Sequence, residues 1–184
     1  MKISCVMMLV VSMLAFCGCA DSRERLDINI EKGDSLTVEL DSMQSALEII
    51  GSARESARLR KFTFVKYVNS IQCSECVVKN LRQWVAFQDV FDEHPQTLSL
   101  VIILAPQKHQ RKLLYEELTK DTLMSENIYI DSLRVFERMN PGLPQNPFTN
   151  CYLIDENNKV LIIGDPTYDD NVEREFMTIL DTIP

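Results

Sequence analysis

The chain has 184 residues, of which 46% are hydrophobic, and a formal net charge of −8. A chain of this length buries one sizeable core and is short for two, so we expect one globular domain. Because negative charge is repelled by phosphate backbones, the composition argues against nucleic-acid binding.

The N-terminus has the pattern of an export signal. Lys2 precedes an almost wholly apolar run over residues 3–16, which is shorter than the roughly 20 residues of a spanning helix. The run ends in Gly18-Cys19, which resembles the bacterial lipobox. We predict a lipoprotein signal peptide over residues 1–18 and a lipid on Cys19, with plain secretory cleavage as the alternative.

Export predicts a location in the cell envelope, on the periplasmic side, with lipid attachment to a membrane. Such a compartment is oxidising, so a disulfide can persist there. Removal of the signal peptide and lipidation of Cys19 leave three cysteines: Cys73, Cys76 and Cys151. An odd number leaves one thiol to be explained.

Two regions precede the clearest secondary-structure signals. Residues 19–35 are charged and short of large apolar groups, which predicts a tether before a domain over residues 36–184. Residues 36–40 alternate apolar and polar as a strand does, and the composition of residues 42–60 suits a helix or a loose helical entry.

From residue 61 onward the pattern predicts alternating strands and helices. Residues 62–68 are β-branched and aromatic, and residues 97–104 form a near-continuous apolar run typical of a strand buried on both faces. The other predicted elements are helices at 76–87, 107–120, 132–139 and 171–183, and strands at 127–130, 151–154 and 159–163. This order predicts an α/β fold with a central mixed sheet and helices on both faces.

Cys73-Ser74-Glu75-Cys76 stands at the junction between a predicted strand and a predicted helix. Two cysteines at this spacing can form a small disulfide ring. The first sulfur would lie near the unpaired amides at the positive end of the helix, which stabilise its thiolate. This geometry predicts Cys73 as the attacking nucleophile and Cys76 as the thiol that resolves the mixed disulfide.

Two stretches of sequence resemble the thioredoxin-like superfamily, most closely its exported redoxin-type and thioredoxin-like lipoproteins of Bacteroidetes-type bacteria. They are residues 67–76 with the helix through Trp84, and residues 151–160 with Gly164-Asp165-Pro166. The resemblance implies a thioredoxin-like fold and a membrane-tethered thiol-disulfide oxidoreductase that needs no cofactor. It also implies, as partners, exported protein thiols or disulfides and a membrane-bound redox protein.

The sequence departs from the pattern of that superfamily at two places. Glu75 brings negative charge beside the Cys73 thiolate, which should raise the pKa of Cys73 unless Lys66 or Lys79 offsets it. The position of the superfamily's cis-proline, on the turn that faces the substrate, corresponds here to Thr149.

Cys151 lies on the strand that passes nearest the cysteine pair in such a fold. We interpret it as a buried structural thiol, and a third redox thiol or a third metal ligand is the alternative. Two other functions compete with the oxidoreductase: a module that binds a soft metal such as copper or zinc, and a non-catalytic thioredoxin-like scaffold. We assign no metal ligands.

Overall fold

Six strands form one mixed sheet in the computed structural model, which describes residues 29–52, 59–69, 81–120, 125–144 and 150–182. The predicted signal peptide and Cys19 lie outside these residues. Across the sheet, the strand order is β1-β4-β3-β2-β5-β6. The strands are β1 (Gln44–Ser45), β2 (Phe62–Val68), β3 (Leu98–Leu104), β4 (Ile128–Ile130), β5 (Cys151–Asp155) and β6 (Val160–Ile163).

The centre of the sheet is parallel and its edges are antiparallel. β2, β3 and β4 run in the same direction, with Phe62 opposite Leu98 and Val68 opposite Leu104. β5 runs antiparallel to β2, β6 antiparallel to β5, and β1 antiparallel to β4. The long apolar runs occupy the central strands because these are covered on both faces.

The helices cover both faces of the sheet, as predicted. The described helices are α1 (Ala46–Ile49), α2 (Gln88–Glu93), α3 (Arg111–Lys120), α4 (Val135–Met139) and α5 (Asp170–Leu180), and Arg82–Phe87 forms a 3-10 helix ahead of α2. The first face carries residues of α1, α2, α3 and α5 in its core. The second face carries Phe136 of α4. None of the helices in the described ranges is long and apolar enough to cross a membrane.

Aromatic rings hold the first face together. The Phe64 ring on β2 packs edge-on against Trp84 and Phe176, with ring centroids 5.3 Å and 5.0 Å apart. All three side chains are fully buried. Burial of an aromatic side chain contributes about 1.5–3 kcal/mol, and the edge-on pairs add about 0.5–1.5 kcal/mol each. These contacts fix α5 and the Arg82–Phe87 helix against β2.

The second face is covered largely by residues 29–43, which we call the N-terminal strap. Leu36, Leu40 and Met43 of the strap are buried in the second core cluster. Its backbone is bound as well, because Gly33 N–H donates to Val160 O and Leu36 N–H donates to Asn158 O, each at 2.8 Å. The strap and α4 thus cover this face together.

The structure corrects two expectations upstream of residue 61. Residues 36–40 form no strand; Ser35 makes an isolated bridge to Lys159, and the backbone then turns away to form a 3-10 helix at Leu40–Ser42. The helix expected over residues 42–60 is described only as Ala46–Ile49. It begins where Ser45 and Glu48 form a capping box, and the chain leaves it at Gly51, where φ is +80°.

From residue 62 onward, the predicted strands and the helices predicted at 107–120, 132–139 and 171–183 are confirmed, with ends that differ by up to four residues. The helix predicted over residues 76–87 lies partly outside the described residues; its described part is the 3-10 helix Arg82–Phe87, which α2 then continues to Glu93. α3 begins at Arg111 rather than at residue 107, and α4 begins at Val135 rather than at residue 132. Both oxygens of the Asp131 carboxylate accept hydrogen bonds at 2.8 Å, from the N–H groups of Val135 and Phe136. Arg134 has a left-handed backbone with φ of +53°, so the helix starts after it.

Candidate functional site

One edge of the sheet collects the carboxyl ends of the three parallel strands. Ala105 N–H donates to Val68 O and Asp131 N–H donates to Leu104 O, so the chain leaves β2, β3 and β4 at this same edge. β5 runs the opposite way and begins there with Cys151. In open α/β sheets this is the edge where functional groups gather, and we call it the site edge.

The predicted cysteine pair belongs to the segment that follows β2. Cys73 and Cys76 lie between Asn69 and Leu81, outside the described residues, and so does Thr149. The structure therefore describes the strand that precedes the pair in the sequence, β2, and the residues around the end of that strand. Of the predicted site residues, Cys151 alone is described.

Cys151 is fully buried in the first core cluster, as its interpretation as a buried thiol predicts. Burial raises the pKa of Cys151 well above its ordinary value, and the negative charge of Asp165 raises it further. The positive charge of Lys66 and a hydrogen bond from the backbone of Tyr152 oppose this increase without cancelling it. Cys151 is thus held as a neutral thiol, which is a weak nucleophile.

A buried ion pair adjoins this thiol. Lys66 is opposite Cys151 in the pairing of β2 with β5, and its ammonium group binds the carboxylate of Asp165. The two side chains are 12% and 1% exposed. The Lys66 Nζ atom also lies 5.5 Å from the centroid of the Trp84 ring, within the range of a cation–π interaction. An ion pair is therefore buried beneath the site edge, in a core that is otherwise apolar.

The loop after β6 places Asp165 beneath Lys66. Gly164 N–H donates to Cys151 O at 2.8 Å, and its φ is +127°. A Cβ atom at Gly164 would lie 2.8 Å from Val172 Cγ2 of α5, so this position requires glycine. The Asp165 Oδ1 atom then accepts hydrogen bonds from the N–H and the hydroxyl of Thr167 at 2.9 Å and 2.6 Å. These bonds orient the carboxylate toward Lys66.

Asn150 fixes the other side of the site edge. Its carbonyl accepts a hydrogen bond from Tyr67 N–H at 2.8 Å, and its side-chain N–H donates to Pro144 O at 2.8 Å. The Tyr152 hydroxyl donates to Asn150 Oδ1 at 3.2 Å. The residues on both sides of the segment that carries Thr149 are therefore tied to each other and to β2.

Comparison with known proteins finds solved structures of similar architecture. No protein-family model matches the sequence, and no curated protein matches it. Two solved structures are similar over 84% and 83% of this chain and 99% of their own chains, with TM-scores of 0.55 and 0.50 and identities of 14% and 13%. They are "a domain of possible thiol-disulfide isomerase" from Cytophaga hutchinsonii and "a putative Thiol:disulfide interchange protein DsbE" from Chlorobium tepidum.

The chain has a thioredoxin-like fold. At these identities the likeness concerns the arrangement of strands and helices, so the chemistry has to be argued from the residues of this chain. The predicted fold class is confirmed.

Reasoning from the sequence did not find the Lys66–Asp165 pair. The sequence suggests Lys66 as a charge that offsets Glu75, whereas in the structure its ammonium group binds the carboxylate of Asp165. Two signals pointed to the pair: a lysine inside an otherwise apolar strand, and an aspartate directly after the glycine that ends the last strand. A buried charge is expected to have a partner, and here the partner lies far along the chain.

Proposed function

We propose that this chain is a membrane-tethered thiol-disulfide oxidoreductase of the cell envelope, with Cys73 and Cys76 as its redox pair and a lipid on Cys19. One observation carries the proposal: β2, the strand that precedes Cys73-Ser74-Glu75-Cys76 in the sequence, ends at the site edge of a thioredoxin-like fold. The names of the two similar structures, a thiol-disulfide isomerase and a thiol:disulfide interchange protein, support the same chemistry.

The proposed reaction has two steps. The Cys73 thiolate attacks a disulfide of an exported protein, forming a mixed disulfide while one substrate sulfur leaves as a thiolate and takes up a proton. The Cys76 thiolate then attacks the Cys73 sulfur and releases the second substrate sulfur. The substrate gains two electrons and becomes a dithiol, and Cys73 and Cys76 become a disulfide. A dithiol on a membrane-bound redox protein restores the pair by the same exchange, and the steps in reverse oxidise a substrate.

Cys151 takes no part in this proposed reaction. Burial raises the pKa of its thiol, and attack requires a thiolate. The alternative of a soft-metal site is separate from this argument, because a bound metal ion itself displaces the proton of a thiol.

The redox half of the proposal is tested on the full lipidated chain in detergent, with a fluorogenic protein disulfide as substrate. We expect Cys73→Ser to abolish exchange and Cys76→Ser to accumulate a mixed disulfide with the substrate, because the resolving thiol is missing. Cys151→Ser is the matched control and should retain exchange. Exchange by the Cys73→Ser variant at the wild-type rate would contradict the assignment, and an inactive wild-type chain would favour the scaffold.

The anchoring half is tested by cell fractionation. We expect Cys19→Ala to move the protein from the membrane fraction to the soluble fraction, since the variant lacks the thiol that accepts the lipid. Ser22→Ala, in the predicted tether, is the control and should stay with the membrane. A Cys19→Ala protein that remains bound to the membrane to the same extent would show that the lipid is not its anchor.

A further inference from the structure

The β3 side of the site edge is basic. Residues 94–115 contain no acidic residue, although the chain has 27 aspartates and glutamates. The loop after β3 and the first turn of α3 contain Lys108, Arg111 and Lys112, and we call these three residues the basic corner. Arg111 Nη2 donates to Ser132 O, in the turn after β4, at 2.8 Å. This bond holds the start of α3 at the site edge.

The β6 side of the site edge is acidic. Residues 164–173 contain four acidic residues and no basic one. Asp165 is paired with Lys66, whereas Asp169 and Asp170 are exposed. Both exposed carboxylates stand at the start of α5, where the positive end of the helix favours negative charge. The stability of α5 therefore accounts for the acidic side.

The stability of α3 does not account for the basic corner. Its first turn has two basic residues and no acidic one, and positive side chains at this end of a helix are disfavoured by the helix dipole. The Lys112 side chain is 90% exposed, and its amine lies 3.9 Å from a carboxylate oxygen of Glu116, so this exposed pair contributes little. Lys108 is exposed as well. The basic corner thus presents its charge to the solvent, where a binding partner can meet it.

β2 ends between these two sides. Neighbouring strands are about 4.8 Å apart, so in the order β3-β2-β5-β6 the ends of β3 and β6 are separated by roughly 14 Å. Val68, the last residue of β2, is level with Leu104 of β3, and from Val68 the chain continues toward Cys73. An extended polypeptide rises about 3.3 Å per residue, so about four residues of a substrate span the distance between the two sides.

We infer that these charges select how a polypeptide substrate lies across the site edge. Acidic side chains on one side of the reacting cysteine meet the basic corner, and basic side chains on the other side meet Asp169 and Asp170. The inference rests on the proposed function and adds a substrate class to it: exported polypeptides with opposite charge on the two sides of a cysteine. Complementary charges fix the register of such a substrate, and like charges disfavour the reversed orientation.

Two disulfide peptides of identical composition test the inference. In each, one cysteine is disulfide-bonded to a small fluorogenic thiol and flanked by two glutamates on one side and two lysines on the other, with blocked termini. The glutamates precede the cysteine in one peptide and follow it in the other. We expect the full lipidated chain in neutral detergent to react with one of them at least about threefold faster at low ionic strength. The difference should disappear near 1 M salt, where the Debye length is about 3 Å.

Charge reversal tests whether the basic corner causes the preference. We expect the double variant Lys108→Glu with Lys112→Glu to react with both peptides at about one rate, because both sides of the site edge are then acidic. It should unfold at about the same urea concentration as the wild type, since glutamate is favoured at the start of a helix. Lys61→Glu with Lys120→Glu is the matched control. It changes the net charge equally, next to the start of β2 and at the end of α3, and should retain the preference.

Equal rates for the two peptides at low ionic strength would overturn the inference while leaving the proposed exchange chemistry intact. A preference that the Lys108→Glu, Lys112→Glu variant retains in full would overturn it too. Failure to exchange with either peptide would instead contradict the proposed function. The inference is then tested by binding, with labelled peptides that carry serine in place of cysteine and are followed by fluorescence anisotropy. We expect unequal affinities for the two peptides, and equal affinities would overturn the inference.

Discussion

The two faces of the sheet are covered by different means. On the first face, α3 and α5 bury aliphatic and aromatic side chains, and the buried ion pair Lys66–Asp165 lies beside Cys151. On the second face, most of the cover is the N-terminal strap, whose irregular backbone is bound to the hairpin and to Asn140. Regular helices satisfy their own backbone groups, whereas an irregular cover depends on partners elsewhere in the chain.

The difference predicts where each face is most sensitive to mutation. The first face should lose most stability when one member of its buried ion pair is removed, because the other charge is left without a partner. The second face should lose stability when the amide that binds the strap is removed, because backbone groups of the strap then lose their partner.

The first prediction concerns the ion pair. We expect Lys66→Met to lower the free energy of unfolding by about 3–5 kcal/mol, since the Asp165 carboxylate remains buried and unpaired. The double variant Lys66→Met with Asp165→Asn should regain most of the loss, because asparagine still accepts from Thr167 without carrying charge. Urea denaturation measures both. A double variant no more stable than Lys66→Met would show that the cost does not arise from the unpaired charge.

The second prediction concerns the strap. We expect Asn140→Ala to lower the free energy of unfolding by about 1–3 kcal/mol, because the N–H and carbonyl of Thr37 lose their partner. Hydrogen exchange should show the loss at Thr37 and its neighbours in the strap. Asn171→Ala, on an exposed position of α5, is the matched control and should change stability by less than about 0.5 kcal/mol. An unchanged rate of hydrogen exchange at the Thr37 amide would mean that Asn140 does not hold the strap.

The third prediction is a pH dependence from Cys151. Its pKa is raised by burial in the folded state, so above about pH 8.5 the unfolded thiol loses its proton while the folded thiol keeps it. The folded state then binds more protons, and the free energy of unfolding falls as the pH rises, by at most about 1.4 kcal/mol per pH unit. Burial also raises the pKa of Tyr67 and Tyr152, which adds a further loss above about pH 10.

The measurement is urea denaturation between pH 8 and pH 10 in a background in which the five other cysteines of the chain are serine, so that only Cys151 titrates as a thiol. Cys151→Ala in the same background should flatten the dependence between roughly pH 8.5 and pH 10. If the free energy of unfolding falls with pH just as steeply in the Cys151→Ala variant, groups other than Cys151 cause the dependence.

The sequence predicted the first face well and the second face poorly, for physical reasons. The runs at residues 62–68 and 97–104 are predicted as strands from their composition, which is β-branched and aromatic in the first and almost continuously apolar in the second, and the structure has strands there. Residues 36–40 of the strap alternate apolar and polar as a strand does, but the backbone bonds of the strap go to Asn140 and Asn158. Partners so far along the chain leave no local pattern.

The candidate site likewise has features that the sequence predicted and one that it did not. The Cys-x-x-Cys spacing and the buried thiol of Cys151 were visible as local or compositional signals. The link between Lys66 and Asp165 was not, because it depends on the antiparallel pairing of β5 and β6 and on the left-handed turn at Gly164. The roles of Cys73, Cys76 and Thr149 stay predictions.

The strap also closes an edge of the sheet. An uncovered edge strand presents free N–H and carbonyl groups that can pair with another chain and start aggregation. Here Val160, at the start of β6, exchanges hydrogen bonds with Gly33 and Asp34 of the strap, and Ser35 bridges to Lys159. The opposite edge ends in β1, Gln44–Ser45, which is too short to recruit a neighbour. Under the proposed lipid attachment at Cys19, many copies would share one membrane surface, and protected edges of this kind would let them meet without pairing their sheets.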